Sequence, residues 1–237
     1  MKHSTFFLSL FILLGVFVVL PVFAEVIVID TGENFAPMQQ KVDCPLEVEK
    51  SYKVPTSISV YYLSSDCKKR PIKNVQVFFS YFNSWNDVQE TGLQNINAIE
   101  NHPLGFVPFG PKYKPQSGSL IKTVDDPKVY FLTDGRRYGI ASAEIFTQMG
   151  FSWNWIEDVT PELLQLYDYG GDIKSAATHV DGMVIQYTGD PKLFLIEGDK
   201  KRHITSIEAF QKLNYRLDRV LKAKQSQIYV DGSVYEK

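Results

Sequence analysis

The sequence predicts an α+β fold made of three tandem small repeats, each a β-hairpin plus one or two short helices. Two self-matches and one recurring local pattern carry this reading. Shifting the chain by 64 residues lays Gly118, Ile121, Asp126, Pro127, Lys128, Ile140, Ser142, Glu144 and Phe146 on Gly182, Ile185, Asp190, Pro191, Lys192, Ile204, Ser206, Glu208 and Phe210, without a gap. Shifting by 68 in the other direction finds a worn copy. There Tyr130 meets Tyr62, Ile140 meets Ile72, Phe146 meets Phe78, and Ser152-Trp153-Asn154 meets Ser84-Trp85-Asn86. A fixed period of this size marks units that bury an apolar face against their neighbours. The boundaries that follow are 1–24 for a leader, 25–56 for a lead-in, 57–111 for the first repeat, 112–117 for a linker, and 118–174 and 182–237 for the second and third repeats.

The leader begins with Lys2 and His3, continues through an uncharged apolar run from Phe6 to Val22, and closes on Val22-Phe23-Ala24. This is the pattern of a secretory signal peptide cut after Ala24. The run is as long as the shortest membrane-spanning helices. Pro21 and the small-x-small site favour cleavage, and a membrane partner is expected only if the leader stays on. No cysteine follows the run, so no lipid anchor is expected. Cleavage changes the formal charge from −2 to −3, since Lys2 is the one charged side chain removed. A mildly acidic chain does not suit nucleic acid, which asks for a basic face. The expected location is outside the cytoplasm, secreted or on the cell surface. Cys44 and Cys67 are the only cysteines, and in an oxidising compartment they are expected to form a disulfide. Closing that loop stabilises by about 3 kcal/mol in the chain-entropy model.

Glu25 to Asp30 alternates apolar and polar residues and predicts a strand. The lead-in holds Pro37, Pro45 and Pro55, with room for one more strand near Leu46 to Val54. Each repeat then has a β-rich run at Ser59–Leu63, Val129–Thr133 or Leu193–Glu197. A turn follows at Asp66-Cys67, Asp134-Gly135 or Gly198-Asp199, and Asp-Gly between β-rich runs is a strong hairpin signal. The return strands end at Ile72, Ile140 and Ile204. Asn74, Ser142 and Ser206 sit where an N-cap belongs, and Glu144 and Glu208 suit the positive end of a helix. Gly150 and Asn214 predict left-handed helix stops. Tyr81-Phe82 occupies that place in the first repeat, so its helix must end differently. Trp155–Val159 reads as extended. Thr160-Pro161-Glu162 opens a second helix with proline at its first position, an apolar face of Leu163, Leu164, Leu166 and Tyr167, and an end at Gly170-Gly171. Gln89–Pro111 reads as loop.

The phrases Gly-x-Leu-Ile-Lys, Asp-Pro-Lys-Val-Tyr, Asp-Gly-Arg-Arg, Ile-x-Ser-x-x-x-Phe, Met-Gly-Phe-x-Trp and Tyr-x-x-Gly-Gly together resemble a repeat of about sixty residues found in secreted and surface bacterial cell-envelope proteins. The resemblance covers roughly 57–237. It implies an envelope accessory module of the kind that accompanies peptidoglycan- or polysaccharide-acting domains, and it supplies no catalytic residues.

The repeat separates expected core from expected surface. Phe78, Phe146 and Phe210 stay aromatic at one helical position, as do Tyr62, Tyr130 and Phe194 on the hairpin, and all read as core. Trp85 and Trp153 align with Leu217 and also read as core. Trp155 aligns with Asp87 and Arg219, so it reads as an exposed aromatic able to stack on a sugar or anchor a partner, with Tyr167 and Tyr169 near it. The pairs Lys68-Lys69, Arg136-Arg137 and Lys200-Lys201 recur after each turn. They read either as a row of cations for an anionic wall polymer or as protection of strand edges. His102, His179 and His203 lack ligand spacing, and Asp125, Asp126 and Asp190 read as turn residues. No catalytic residue, metal site or cofactor is expected, for no nucleophile elbow, phosphate loop or dinucleotide fingerprint occurs. The functional expectation is a non-catalytic envelope binding module. Its partner would be a cell-wall polymer, a glycan or an envelope protein. A structural or protein-interaction repeat without a small ligand, and a hydrolase with its site in 89–111, are the alternatives.

Overall fold

The computed structural model describes residues 43–236, which lie in the second of the two units into which the chain divides, 1–41 and 42–237. The leader and the strand expected at Glu25–Asp30 fall outside the described residues. The described architecture is α+β, with three sheets of four or five strands and five short helices. No described helix is long and apolar enough to cross a membrane.

The first sheet is built from β1 (Ser51–Lys53), β2 (Val60–Leu63) and β3 (Lys69–Pro71). After α1 (Val75–Phe79) come β4 (Val88–Glu90) and α2 (Leu93–Ala98). Its strand order is β3-β2-β1-β4, with β4 parallel to β1 and the other pairs antiparallel. The second sheet uses β5 (Leu120–Thr123), β6 (Tyr130–Thr133) and β7 (Arg136–Ile140), then α3 (Ala143–Gln148), β8 (Ile156–Val159), α4 (Pro161–Gln165) and β9 (Asp168–Ile173). The third uses β10 (Val184–Tyr187), β11 (Leu193–Glu197) and β12 (Lys200–Ile204), then α5 (Ile207–Lys212), β13 (Leu221–Ala223) and β14 (Val230–Asp231). Their orders are β8-β5-β6-β7-β9 and β13-β10-β11-β12-β14. The same strand succession therefore recurs in each sheet, except that the third has no helix between its last two strands among the described residues, and in the first an isolated parallel bridge from Lys69 to Asn101 stands where the fifth strand would lie.

These sheets enlarge the expected unit. The hairpin is only part of each sheet. A strand before it and a strand after the helix pair parallel to each other on one flank. In the first sheet that leading strand is β1, upstream of the expected boundary at 57. The stretch expected to be loop, 89–111, contains most of β4 and all of α2. Gly170 and Gly171 lie within β9 and do not end α4. A Cβ on Gly170 would sit 2.4 Å from the Tyr138 ring, so this glycine lets the strand pass over a buried aromatic.

Local chemistry forms the elements as the turn and cap residues require. Asp134 and Gly135 have φ of 48° and 69°, and Gly198 and Asp199 have 57° and 59°. Two positive φ values in a two-residue loop give the turn whose twist suits a hairpin. Asn74, Ser142 and Ser206 accept from the backbone N–H of Val77, Ile145 and Ala209 at 2.9, 3.2 and 3.1 Å. Gly150 and Asn214 take the left-handed conformation after α3 and α5. The helix α1 ends differently: the Ser80 hydroxyl donates to Val77 at 2.6 Å and accepts from Gly110 N–H at 2.8 Å. A disulfide ties Cys44, in the segment before β1, to Cys67 in the first hairpin turn, with Cα atoms 5.7 Å apart.

Phe78, Phe146 and Phe210 are buried. The second and third sheets share one core, in which Phe131 and Phe146 cluster with Val184, Phe194 and Phe210. The segment between the first two sheets is packed, not a free linker. Phe109 extends the second sheet beside β8, with N–H to Asp158 at 2.8 Å and its carbonyl accepting from Thr160 at 2.9 Å. Tyr113 stacks on Phe109 at 3.9 Å and donates to Glu157 at 2.7 Å.

Two outcomes follow. Phe146→Ala should cost about 3–5 kcal/mol, read as a lowered midpoint in urea unfolding; a loss under about 1 kcal/mol would contradict the shared core. The second concerns His179, which burial holds neutral with its pKa lowered to about 4. Its Nδ1 is 2.7 Å from the Tyr229 hydroxyl, which also accepts the His179 N–H. Because the folded pKa lies below the unfolded value near 6.5, the unfolded chain binds the extra proton. Stability is then complete above about pH 6.5 and falls as pH drops toward 4. Melting temperatures across that window should fall less steeply in His179→Gln than in the unaltered protein.

Candidate functional site

Trp153 is 56% exposed yet fixed in place. It sits in a single 3-10 turn, Trp153–Trp155, just after α3. Its ring stacks on Phe146 with centroids 4.0 Å apart and planes at 19°. Phe146 is anchored in the core, so one face of the indole is held and the other meets solvent. The same arrangement occurs in the first unit, where Trp85 stacks on Phe78 at 4.1 Å and 10° and is 51% exposed. Both tryptophans were expected in the core. They replace an apolar residue, Leu217, that is itself exposed, so the apolar match reported a cover over the phenylalanine, with its outer face still in water.

Beside Trp153 lies a groove of about 550 Å³, with Phe146 and Trp153 on one side and Asp126, Lys128, Ser142 and Asp172 supplying polar groups. The Asp126 carboxylate accepts from Lys128 N–H at 2.8 Å, which confirms the turn at Asp-Pro-Lys. Lys128 Nζ is 2.9 Å from Asp172 Oδ1, and the Tyr169 hydroxyl donates to the same oxygen at 2.7 Å. The ammonium also lies 5.5 and 5.6 Å from the rings of Tyr169 and Tyr130, within the range of cation–π attraction. The Tyr169 hydrogen bond, then Lys128, hold the Asp172 carboxyl below its usual range, with Lys174 adding to the effect. Gly139 makes room for this pair: a Cβ there would lie 2.2 Å from Asp172 Oδ1 and 2.5 Å from Lys128 Cε.

The residues singled out from sequence are divided by the structure. Tyr169 is exposed and does not line this groove; it reaches it only through its hydrogen bond to Asp172. Trp155 is not a free platform: it packs against the shared core, and the Arg219 guanidinium lies 3.9 Å from its ring centroid. Arg219 is the very residue aligned with Trp155, so a charged match there marked a contact between units, not solvent. Tyr167 packs beside Leu163 in a small core of the second sheet that Phe109 and Tyr113 help cover, and burial raises its pKa. Tyr62 and Tyr130, expected fully in the core, are only half-buried.

The basic pairs do not form one row of ligand contacts. The second member of each pair turns inward. Lys69 donates to the carbonyls of Ile96, at 2.8 Å, and Ile99, at the end of α2; Arg137 donates to Leu164 in α4; Lys201 donates to Tyr229 at 2.9 Å. Each thereby adds a charged donor to carbonyls at a helix end or in a loop. Lys68 faces Asp66 at 3.5 Å. Arg136 and Lys200 are exposed. No cluster of three or more histidine, cysteine or acidic residues able to hold a metal occurs among the described residues.

No protein-family model matches the sequence, and no curated protein matches it. Among solved structures, the chain is similar to a component of the periplasmic assembly from the ESX-5 inner membrane complex. That likeness has 12% identity and a TM-score of 0.20, over 81% of this chain and 61% of that one. It is also similar to a component of an intact ESX-5 inner membrane complex, with 12% identity and a TM-score of 0.21, over 76% of this chain and 50% of that one. The chain thus spans less than two thirds of either component, and superpositions this loose carry no argument about fold or activity.

Gly139→Ala should be a mild change in stability, within about 1 kcal/mol, because the atoms it meets are ends of flexible side chains and its backbone is not left-handed. It should nevertheless separate Lys128 from Asp172. A crystal structure of the variant with the pair still at 2.9 Å would refute that account.

Proposed function

We propose that this chain is a non-catalytic binding module that works outside the cytoplasm, at the cell envelope, and that it binds a glycan or cell-wall polymer over Trp153. One observation carries the reading: an indole with one face fixed on a buried phenylalanine and the other open, beside a groove with charged and hydroxyl groups. A pyranose ring offers an apolar face to such a surface and a rim of hydroxyls to the groups around it. The disulfide supports an oxidising location, as does the apolar leader.

The charge state of Asp172 suits it to accept hydrogen bonds rather than to donate a proton. Glycoside cleavage uses a carboxylic acid whose pKa is raised so that it can donate a proton. The Tyr169 hydroxyl and Lys128 push Asp172 the other way, so it serves as a hydrogen-bond acceptor. Reading the module as a member of the repeat family suggested by its sequence motifs is part of the same proposal.

The test is pulldown and calorimetry with purified wall polymers and soluble polysaccharides. Trp153→Ala should lower affinity about tenfold or more, the order of a lost stacking contact, while costing only about 1 kcal/mol in stability. Unaltered binding in this variant, with a folded protein by circular dichroism, would exclude the site.

A further inference from the structure

A second groove, about 630 Å³, lies on the other side of the start of α3. It is lined by Lys174, Lys222 and Lys224, with Ser175 and Ser226 between them. The two grooves meet at Ser142, which lines both. They are also linked through β9: Asp172 lines the first groove, and Lys174, two residues on, lines the second. Within the second groove three ammonium groups face one carboxylate, that of Glu144, and the imidazole of His179. Lys222 donates to the neutral amide of Gln186, which leaves its charge uncompensated, and all three lysines are exposed. The first groove is nearly balanced in charge and aromatic; the second is positive and polar. Together they form a continuous surface that changes from a stacking platform to a basic trough.

We infer that the ligand is an acidic polysaccharide, with a sugar ring on Trp153 and a carboxylate or phosphate of the same chain in the trough of Lys174, Lys222 and Lys224. The inference rests on the glycan reading above and narrows it, since a neutral polymer would leave the trough unused. Charge complementarity supplies the specificity and a dependence on salt, while the indole supplies contact that salt does not screen.

The experiment compares polygalacturonate with its fully methyl-esterified form, which keeps the sugar backbone and lacks the charge, by calorimetry on the unaltered protein, on Trp153→Ala and on a Lys174→Ala/Lys222→Ala/Lys224→Ala variant. The charged polymer should bind about tenfold tighter than the ester at low salt, the scale of three exposed ion pairs, and that margin should close in high salt. The lysine variant should lose the margin and keep its affinity for the ester; Trp153→Ala should weaken both polymers. A parallel titration with a phosphomannan, which keeps sugar rings and carries phosphate in place of carboxylate, separates the two kinds of anion, the polymer more weakened by the lysine variant carrying the matching charge. Equal affinity for charged and esterified forms, or a margin that survives in the lysine variant, overturns the acidic-ligand inference and leaves the glycan reading standing. Failure of Trp153→Ala to weaken either polymer overturns the glycan reading itself.

Discussion

The rest of the structure depends on a buried phenylalanine under each small sheet. Helices of five or six residues are too short to persist alone. Here each is pinned at its start by an N-cap and drawn onto the sheet by Phe78, Phe146 or Phe210. Once Phe146 is fixed, the 3-10 turn that follows has one stable place for Trp153, flat against that ring. The exposed platform is thus a consequence of core packing. Its orientation needs no ligand to set it, which lowers the ordering cost of binding.

A second constraint is the accommodation of charge between units. Arg219 is nearly buried over Trp155, and its guanidinium meets Asp218 at 2.6 Å, while Arg216 reaches Glu157 at 2.8 Å. Charges withdrawn from water need partners of this kind. The inward cations Lys69, Arg137 and Lys201 do related work within units by serving carbonyls after the second helix or its equivalent loop. The proposed binding surface uses residues that these duties do not claim, chiefly Trp153, Lys128 and Asp172 in one groove and the three lysines in the other.

The hairpin turns, the N-caps and the disulfide were legible in the sequence because each rests on interactions among near neighbours or on the chemistry of one residue type. The flanking strands were legible only in part: the stretches read as extended at Leu46–Val54 and Trp155–Val159 contain β1 and β8, but none of the parallel pairings was read. β1 and β4, β5 and β8, and β10 and β13 pair across the whole hairpin and helix, and a strand of three or four residues carries too little alternation to announce itself. The site was legible in part. Tyr169, singled out from the sequence, only buttresses Asp172 from outside the groove, Asp126 was read as a turn residue, and Trp153 and Trp155 were assigned to each other's environments. Alignment of the copies shows whether a position tolerates change. It does not show whether the neighbour that permits the change is water or another unit of the same chain.

The sequence by itself determined an α+β chain with three related stretches, where each hairpin turns, where each short helix begins, and which phenylalanines are buried, since turn torsions, capping and apolar repetition act over a few residues. Only the tertiary structure decided that each hairpin sits inside a larger sheet, that Arg219 covers Trp155 while Trp153 stays open, and that Lys128 meets Asp172 over the space left by Gly139. Those outcomes depend on atoms far apart along the chain arriving within a few ångströms, and no local preference encodes such a distance.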